Sequence, residues 1–289
     1  MPSYVRRPEW LKLTPLDPII LARMGKLIRY LKLHTVCESA HCPNRSNCFA
    51  QGTATFMILG DICTRNCTFC AVKSGKPRAP DPREPEHIVE AVKELGLQYV
   101  VITSVTRDDL PDGGASHFAQ TIKAIQCYDA KISVEVLVPD FRGSLSALQT
   151  VIDASPAVLN HNVETVPRLY PEVRPQAKYQ RSLELLQQAK MLDSQLVTKS
   201  GLMLGLGETR QEVVEVMGNL REANCDLLTI GQYLQPSLSH HRLVRYVPPE
   251  EFEEYQNVGK EMGFISVISA PLVRSSFHAA QTYLLAKGN

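Results

Sequence analysis

The sequence predicts an α/β fold: a parallel sheet closed partly or fully into a barrel. Three observations carry that expectation. Segments with strand and helix character alternate about six times along the chain, the order that right-handed crossovers of a parallel sheet require. The strand segments are continuous β-branched runs such as Tyr99-Val100-Val101-Ile102-Thr103, as in strands buried on both faces. The chain has 289 residues, a length that α/β barrels use as one domain.

Each element has a local cause. Asp17-Pro18 is a helix start, an N-cap residue followed by proline at the first helical position. Ile19, Ile20, Leu27, Ile28 and Leu31 then form an apolar stripe, so residues 17 to 33 are expected to be an amphipathic helix. Residues 34 to 53 show no period and are expected to be a loop. Ala54 to Leu59 is short and apolar, a strand before Gly60. Four prolines between residues 74 and 86 suggest a linker. Helices are expected over 86–95, 115–127, 144–153, 179–192, 208–223 and 249–262. The intervening strands fall at 99–103, 132–138, 157–159, 197–204 and 227–230, with a last one at 265–268. In such barrels the chemistry sits at the C-terminal strand ends.

Composition excludes several function classes. Lys plus Arg is 31 and Asp plus Glu is 30, so no global field favours nucleic acid or an anionic membrane. No apolar run reaches the length of a membrane span, and the N-terminus lacks the marks of a signal or transit peptide. A soluble, cytoplasmic protein is expected. Arg7, Lys12, Lys26, Arg29 and Lys32 crowd the first 32 residues; a solvated helix face explains them better than a docking patch.

Cysteine is the compositional peculiarity. Six of eight lie between Cys37 and Cys70, which in a reducing compartment suggests metal rather than disulfides. The sharpest pattern is Cys63-x3-Cys67-x2-Cys70, directly after the first strand. Three thiolates on one loop can each take an iron of a [4Fe–4S] cube, leaving the fourth iron open to a small molecule. Structural zinc sites favour C-x2-C or C-x4-C pairs and four closed ligands, a poor fit. Phe69, beside the last cysteine, can pack against a flat ring. The second trio, Cys37-x4-Cys42-x5-Cys48, supports either a second cluster or zinc by spacing alone, since His34 and His41 stand nearby. Cys127 and Cys225 are isolated and are expected to be small buried hydrophobes.

The C-x3-C-x2-C loop with an aromatic residue before its last cysteine resembles that of the radical S-adenosylmethionine (SAM) enzymes. Within that superfamily the chain resembles the lipoyl synthases. The resemblance rests on Leu33 to Cys37, Cys42-Pro43-Asn44 with Cys48, Gly52 to Asp61, Thr103-Ser104-Val105 with Arg107 to Leu110, Asp112-Gly113-Gly114, Asn160 to Val166, Val173-Arg174-Pro175, Gly201 to Glu208 and Arg274 to Ala279. Two segments depart from the family pattern: Phe277 stands where Tyr is usual, and Ser239 to Val244 replaces His-Leu-Pro-Val. Neither is expected to touch a cysteine. A biotin synthase-like protein would lack the N-terminal trio, and a tRNA methylthiolating protein would want a basic surface.

The resemblance implies a partial (β/α)6 radical SAM barrel over residues 54–270. An extension over 1–53 carries an auxiliary cluster loop, and one over 271–289 carries the Arg-Ser-Ser motif. It implies two [4Fe–4S] clusters and SAM as cofactors. Cys63, Cys67 and Cys70 would hold the cluster that cleaves SAM to a 5′-deoxyadenosyl radical. Cys37, Cys42 and Cys48 would hold the auxiliary cluster, consumed as sulfur donor, with Ser276 as its fourth ligand and Ser275 as the alternative. Phe69, Thr103, Ser104, Asp108, Asn162, Glu164 and Arg174 are the candidate SAM contacts. The implied reaction is sulfur insertion at C6 and C8 of a protein-bound octanoyl-lysine. Implied partners are octanoylated lipoyl carrier domains (2-oxoacid dehydrogenase E2 or glycine cleavage H protein), an electron donor such as ferredoxin or flavodoxin, and an iron–sulfur carrier that rebuilds the donor cluster.

Overall fold

Seven strands run parallel in one sheet: β2 (Thr55–Ile58), β5 (Tyr99–Ser104), β6 (Ser133–Leu137), β7 (Val158–Asn160), β8 (Val197–Leu204), β9 (Leu227–Gln232) and β10 (Ser266–Ser269). The computed structural model describes residues 6–12, 17–45, 48 and 55–288. Each pair along the order β2-β5-β6-β7-β8-β9-β10 is parallel, and a two-residue strand, β1 (His34–Thr35), pairs antiparallel to β2 at one edge. The two ends of the order do not pair with each other. The barrel is therefore open, six β/α units closed by a final strand. Gly52 to Ala54, part of one resemblance block, lie outside the described residues.

Helices cover the outer face. Phe56, Ile58, Val100, Ile102, Val134 and Val136 meet Ile88, Phe118, Ile122 and Leu148 in one apolar cluster. Leu202, Leu204, Leu228 and Ile230 meet Val213, Val216 and Phe252 in a second. Capping agrees with the sequence signals. Ser144 accepts a hydrogen bond from Ala147 N, and Thr209 forms a reciprocal capping box with Glu212. The helix Glu84–Leu95 ends at Gly96, whose φ of +63° is the left-handed cap that glycine adopts freely.

The expected elements over residues 86–268 are present with boundary shifts of one or two residues. Several others were not legible. The loop expected over 34–53 holds β1 and a turn of helix, Val36–Ser39. Residues 74 to 86 are no mere linker: the helix already begins at Glu84. A second, two-stranded sheet joins β3 (Ile62–Cys63) to β4 (Lys73–Ser74). Cys225 is buried as expected, but Cys127 is exposed, because it falls on the solvent side of the helix Ala115–Tyr128. No helix among the described residues is long and apolar enough to cross a membrane.

The C-terminal helix Ala279–Lys287 was also unforeseen. Ser275 bonds Asn162, just past the C-terminal end of β7. Tyr283 packs at a tilt against Tyr99, the first residue of β5, with ring centroids 5.7 Å apart. The C-terminal segment thus runs from the mouth of the barrel back to its base. Its passage needs Gly231, where an added Cβ would stand 2.1 Å from Val273 O. Gly231→Ala is expected to destabilise the fold by about 1–3 kcal/mol through overpacking against backbone. Urea unfolding measures this, and faster tryptic cleavage after Arg274 should accompany it.

Candidate functional site

The Cys63–Cys70 loop is pinned at both ends. At its start, β3 pairs with β4 and Gly75 N donates to Cys63 O at 2.9 Å. Thr64 N and Oγ1 both donate to Thr106 O, at 3.0 and 2.9 Å. Further on, Thr68 N donates to Val173 O at 3.0 Å and Thr68 Oγ1 to Glu172 O at 2.7 Å. The main anchor is Arg65, between the first two cysteines. Its guanidinium is 5% exposed and grips two carboxylates, Asp108 (2.7 and 2.9 Å) and Asp140 (3.0 and 2.6 Å). Burial alone would raise the Asp140 carboxyl; the Arg65 bonds and charge outweigh it and hold Asp140 well below the usual carboxylate range.

The thiols of this loop are half-buried and share one environment. Burial pushes Cys70 up to about 12, with the Cys67, Cys63 and Glu164 charges adding to it. Burial raises Cys67 as well, against the opposing Arg174 charge. Such thiols stay protonated unless a metal takes their charge. Phe69 packs against the second apolar cluster.

Opposite this loop, Asn160 to Glu164 leave the end of β7. Glu164 has φ +66°, and its backbone bonds Gly201 O and Met203 N, both at 2.9 Å. Burial raises its carboxyl above the ordinary value. Asn162 Nδ2 donates to Glu164 Oε1 at 3.1 Å and to Ser275 Oγ at 2.7 Å, while Asn162 Oδ1 is buried without a partner among the described residues. Arg174 directs Nη1 to Asn162 O and Tyr170 Oη at 3.0 and 3.2 Å, leaving Nε buried and unpaired among the described residues. Ser104 Oγ is likewise unpaired. Thr103 Oγ1 donates to Leu137 O at 3.0 Å. Asp108 is occupied by Arg65, a partner that sequence reasoning missed; an arginine inside a cysteine loop beside an Arg-Asp-Asp block was the available signal.

The other trio sits on the turn Val36–Ser39 and the residues just after it. Thr35 Oγ1 caps that turn by accepting from Glu38 N at 3.3 Å, and Cys42 N donates to Cys37 O at 3.1 Å. Burial pushes Cys37 up to about 12, with Cys42 and Cys48 adding to it; burial and Cys42 raise Cys48. Among the described residues no three His, Cys, Asp or Glu side chains converge as for a single metal ion.

The C-terminal segment joins the two trios. Asn44 Nδ2 donates to Leu272 O at 2.6 Å, beside the Cys42 turn. Arg274 is half-buried, and desolvation lowers its pKa while the Cys42 and Glu164 charges raise it. Ser275 is engaged by Asn162. Ser276 is half-buried and makes no side-chain hydrogen bond among the described residues. One expectation is corrected. The segment Ser239 to Val244 does reach the cysteine loop: His240 Nε2 donates to Cys70 O at 3.1 Å, and His241 N to Thr68 O at 2.8 Å.

Comparison with known proteins bears directly on this site. Residues 57–220 match the Radical SAM superfamily. A lipoyl synthase of Caldanaerobacter subterraneus subsp. tengcongensis is 56% identical over 98% of this chain and 99% of its own. One of Aquifex aeolicus is 56% identical over 91% of this chain and 96% of its own. The chain belongs to the lipoyl synthase family. Solved structures agree on the fold: a methylornithine synthase superposes with a TM-score of 0.58, over 80% of this chain and 68% of its own, at 13% identity. A maturase of the [FeFe]-hydrogenase superposes with a TM-score of 0.59, over 95% and 61%, at 16% identity. Lipoyl synthases are radical SAM enzymes, so a [4Fe–4S] cluster and SAM belong to this barrel.

One buried group behind the site makes the apoprotein acid-sensitive. His161 donates from Nδ1 to Val138 O at 2.8 Å and accepts at Nε2 from Ser182 Oγ at 2.9 Å, which fixes a neutral ring. Burial, then the Arg174 charge, push it from 6.5 down to about 4. The unfolded chain takes up this proton near pH 6.5, and the native chain refuses it until about 4. The stabilising contribution is full above the first value and lost on the way to the second, about 3 kcal/mol in all. Urea unfolding of the apoprotein at pH 7 and pH 4 should show that loss, and His161→Asn should lack this component of it.

Proposed function

We infer that the protein inserts two sulfur atoms, at C6 and C8, into an octanoyl chain carried on a lysine of a lipoyl carrier domain. An alkyl C–H bond offers no proton that a general base could remove at useful cost, so the chemistry must come from cofactors. The observation that carries the inference is the C-terminal segment, bonded to Asn44 at one trio and to Asn162 at the other. A single segment anchored beside each trio supports a shared mouth, as one substrate chain attacked from both would require.

The donor sets fit the groups. Cys63, Cys67 and Cys70 would hold the SAM-cleaving cluster; Cys37, Cys42 and Cys48 would hold the auxiliary one. When bound, the first cluster with SAM supplies the hydrogen-abstracting radical, and the second supplies sulfur. Around the first, the unpaired Asn162 Oδ1, Ser104 Oγ and Arg174 Nε are groups still in want of a ligand. Glu164 can accept from ribose hydroxyls and Arg174 can pair with the methionine carboxylate. Phe69 and Thr103 form the wall, while Asp108 holds the loop through Arg65. Ser276 would be the fourth ligand of the auxiliary cluster, a choice over Ser275 that the Asn162 bond to the Ser275 hydroxyl supports. A serine oxygen suits iron–sulfur less well than thiolate, so it would hold its iron more weakly than the three cysteines hold theirs. The proposed division of the chain is 1–53 for the auxiliary loop, 54–270 for the barrel and 271–289 for the closing segment. The proposed partners are E2 or H-protein carrier domains, a ferredoxin or flavodoxin, and an iron–sulfur carrier.

An anaerobic incubation with SAM, a reductant and an octanoyl-lysine peptide tests this by mass spectrometry. Cys63→Ala is expected to abolish 5′-deoxyadenosine formation. Cys42→Ala is expected to retain it while forming no lipoyl product. Deoxyadenosine from the first variant, or lipoyl peptide from the second, would overturn the assignment of the two loops.

A further inference from the structure

The inside of the barrel carries a charged layer that neither cluster nor SAM requires. Along β6, Val134 and Val136 face the helices, so Glu135 faces inward. Its carboxylate is 1% exposed and takes bonds from three other strands. Lys199 Nζ on β8 donates at 2.9 Å, Asn160 Nδ2 on β7 at 3.2 Å and Tyr99 Oη on β5 at 2.7 Å. A bond from β6 to β8 skips a strand and can only cross the concave interior. Lys199 is 0% exposed. Tyr283 seals the layer from below through its contact with Tyr99. Above it, Asn160 Oδ1 is buried without a partner among the described residues.

The wall above this layer is different in character. Leu137 and Met203 lie two and four residues further along β6 and β8 than Glu135 and Lys199, on the same inward face by the period of two. Both are half-buried, as is Ile268 on β10. Toward the mouth the interior therefore offers half-buried apolar side chains beside Thr103, the register partner of Leu137, and below them it is ionic and closed; along β6 the two levels are about 7 Å apart.

We propose that Glu135, Lys199, Tyr99 and Asn160 form a floor that stops the methyl end of the acyl chain and so selects eight carbons over longer chains. The proposal rests on the octanoyl reading above. An acyl chain that enters among Leu137, Met203 and Ile268 has its terminal carbon, C8, arrested above the ionic layer. A longer chain meets a carboxylate and an ammonium that cannot part without leaving each charge buried and unpaired. The floor thus sets the register of C6 and of C8, the methyl carbon it stops; these four are positioning and specificity residues that take no part in bond making.

The test compares kcat/KM for octanoyl- and decanoyl-lysine peptides, with inhibition by the decanoyl peptide as a binding readout. The wild-type protein is expected to favour octanoyl by about 100-fold, within the range that a single methylene can give. Glu135→Gln with Lys199→Met keeps the volume and removes both charges, and is expected to cut the preference to about tenfold or less, mainly through KM for decanoyl. Tyr99→Phe removes one bond and leaves the ion pair; it is expected to relax the preference partially, and it serves if the double variant fails to fold. An unchanged preference in folded, iron-loaded variants, or no preference in the wild type, would overturn the proposal. A wild type that modifies no octanoyl peptide would instead refute the function above.

Discussion

A buried cation inside the cysteine loop holds the site together. Arg65 stands between Cys63 and Cys67 and is clasped by Asp108, beyond β5, and Asp140, beyond β6. Asp140 also accepts from Arg181 at 3.3 Å, so two cations face two carboxylates. Taking one partner away would strand a buried charge, a change that typically costs about 3–5 kcal/mol. A loop of small polar residues and cysteines has little apolar surface of its own to bury. Its shape is imposed by this clasp, by Thr64 and by Thr68, each tied to a different strand-end loop. The cysteines inherit their positions from a rigid sheet, as a precise site requires.

The second constraint is the return of the C-terminus through the mouth. Gly231 leaves room for Val273, Asn44 fastens Leu272, and Asn162 fastens Ser275. Residues far apart in sequence thereby share one cavity. Adjacent serines differ: Ser275 accepts from Asn162, which also bonds Glu164, while Ser276 makes no side-chain hydrogen bond among the described residues. The same segment then descends to Tyr99 and closes the base. One stretch of chain both completes the site and covers the open side of the barrel.

Much of the fold was legible because its causes are local. The helix 179–192 and the strand 197–204 were placed to the residue, since each carries a clear period and a clear stop. The closing helix Ala279–Lys287 escaped because its apolar residues do not gather on one face; Leu284 and Leu285 stay exposed while Thr282 and Tyr283 are buried. The cysteine spacing announced the metal chemistry. The partners of those loops did not announce themselves, because contacts such as Arg65 with Asp140 or His240 with Cys70 span 75 and 170 residues. Glu135 and Lys199 lie in the barrel interior, and nothing local in the sequence pairs them. Only closure of the sheet brings β6 and β8 face to face.

The central claim is that two iron cubes, each held by three thiolates, occupy this one chain. Iron and acid-labile sulfide analysis of the anaerobically reconstituted protein tests it most directly. The account predicts about eight of each per chain, four per cube, falling to about half when Cys37, Cys42 and Cys48 are all replaced by alanine. Four irons in the fully loaded wild-type protein, or zinc in place of the second set, would contradict it.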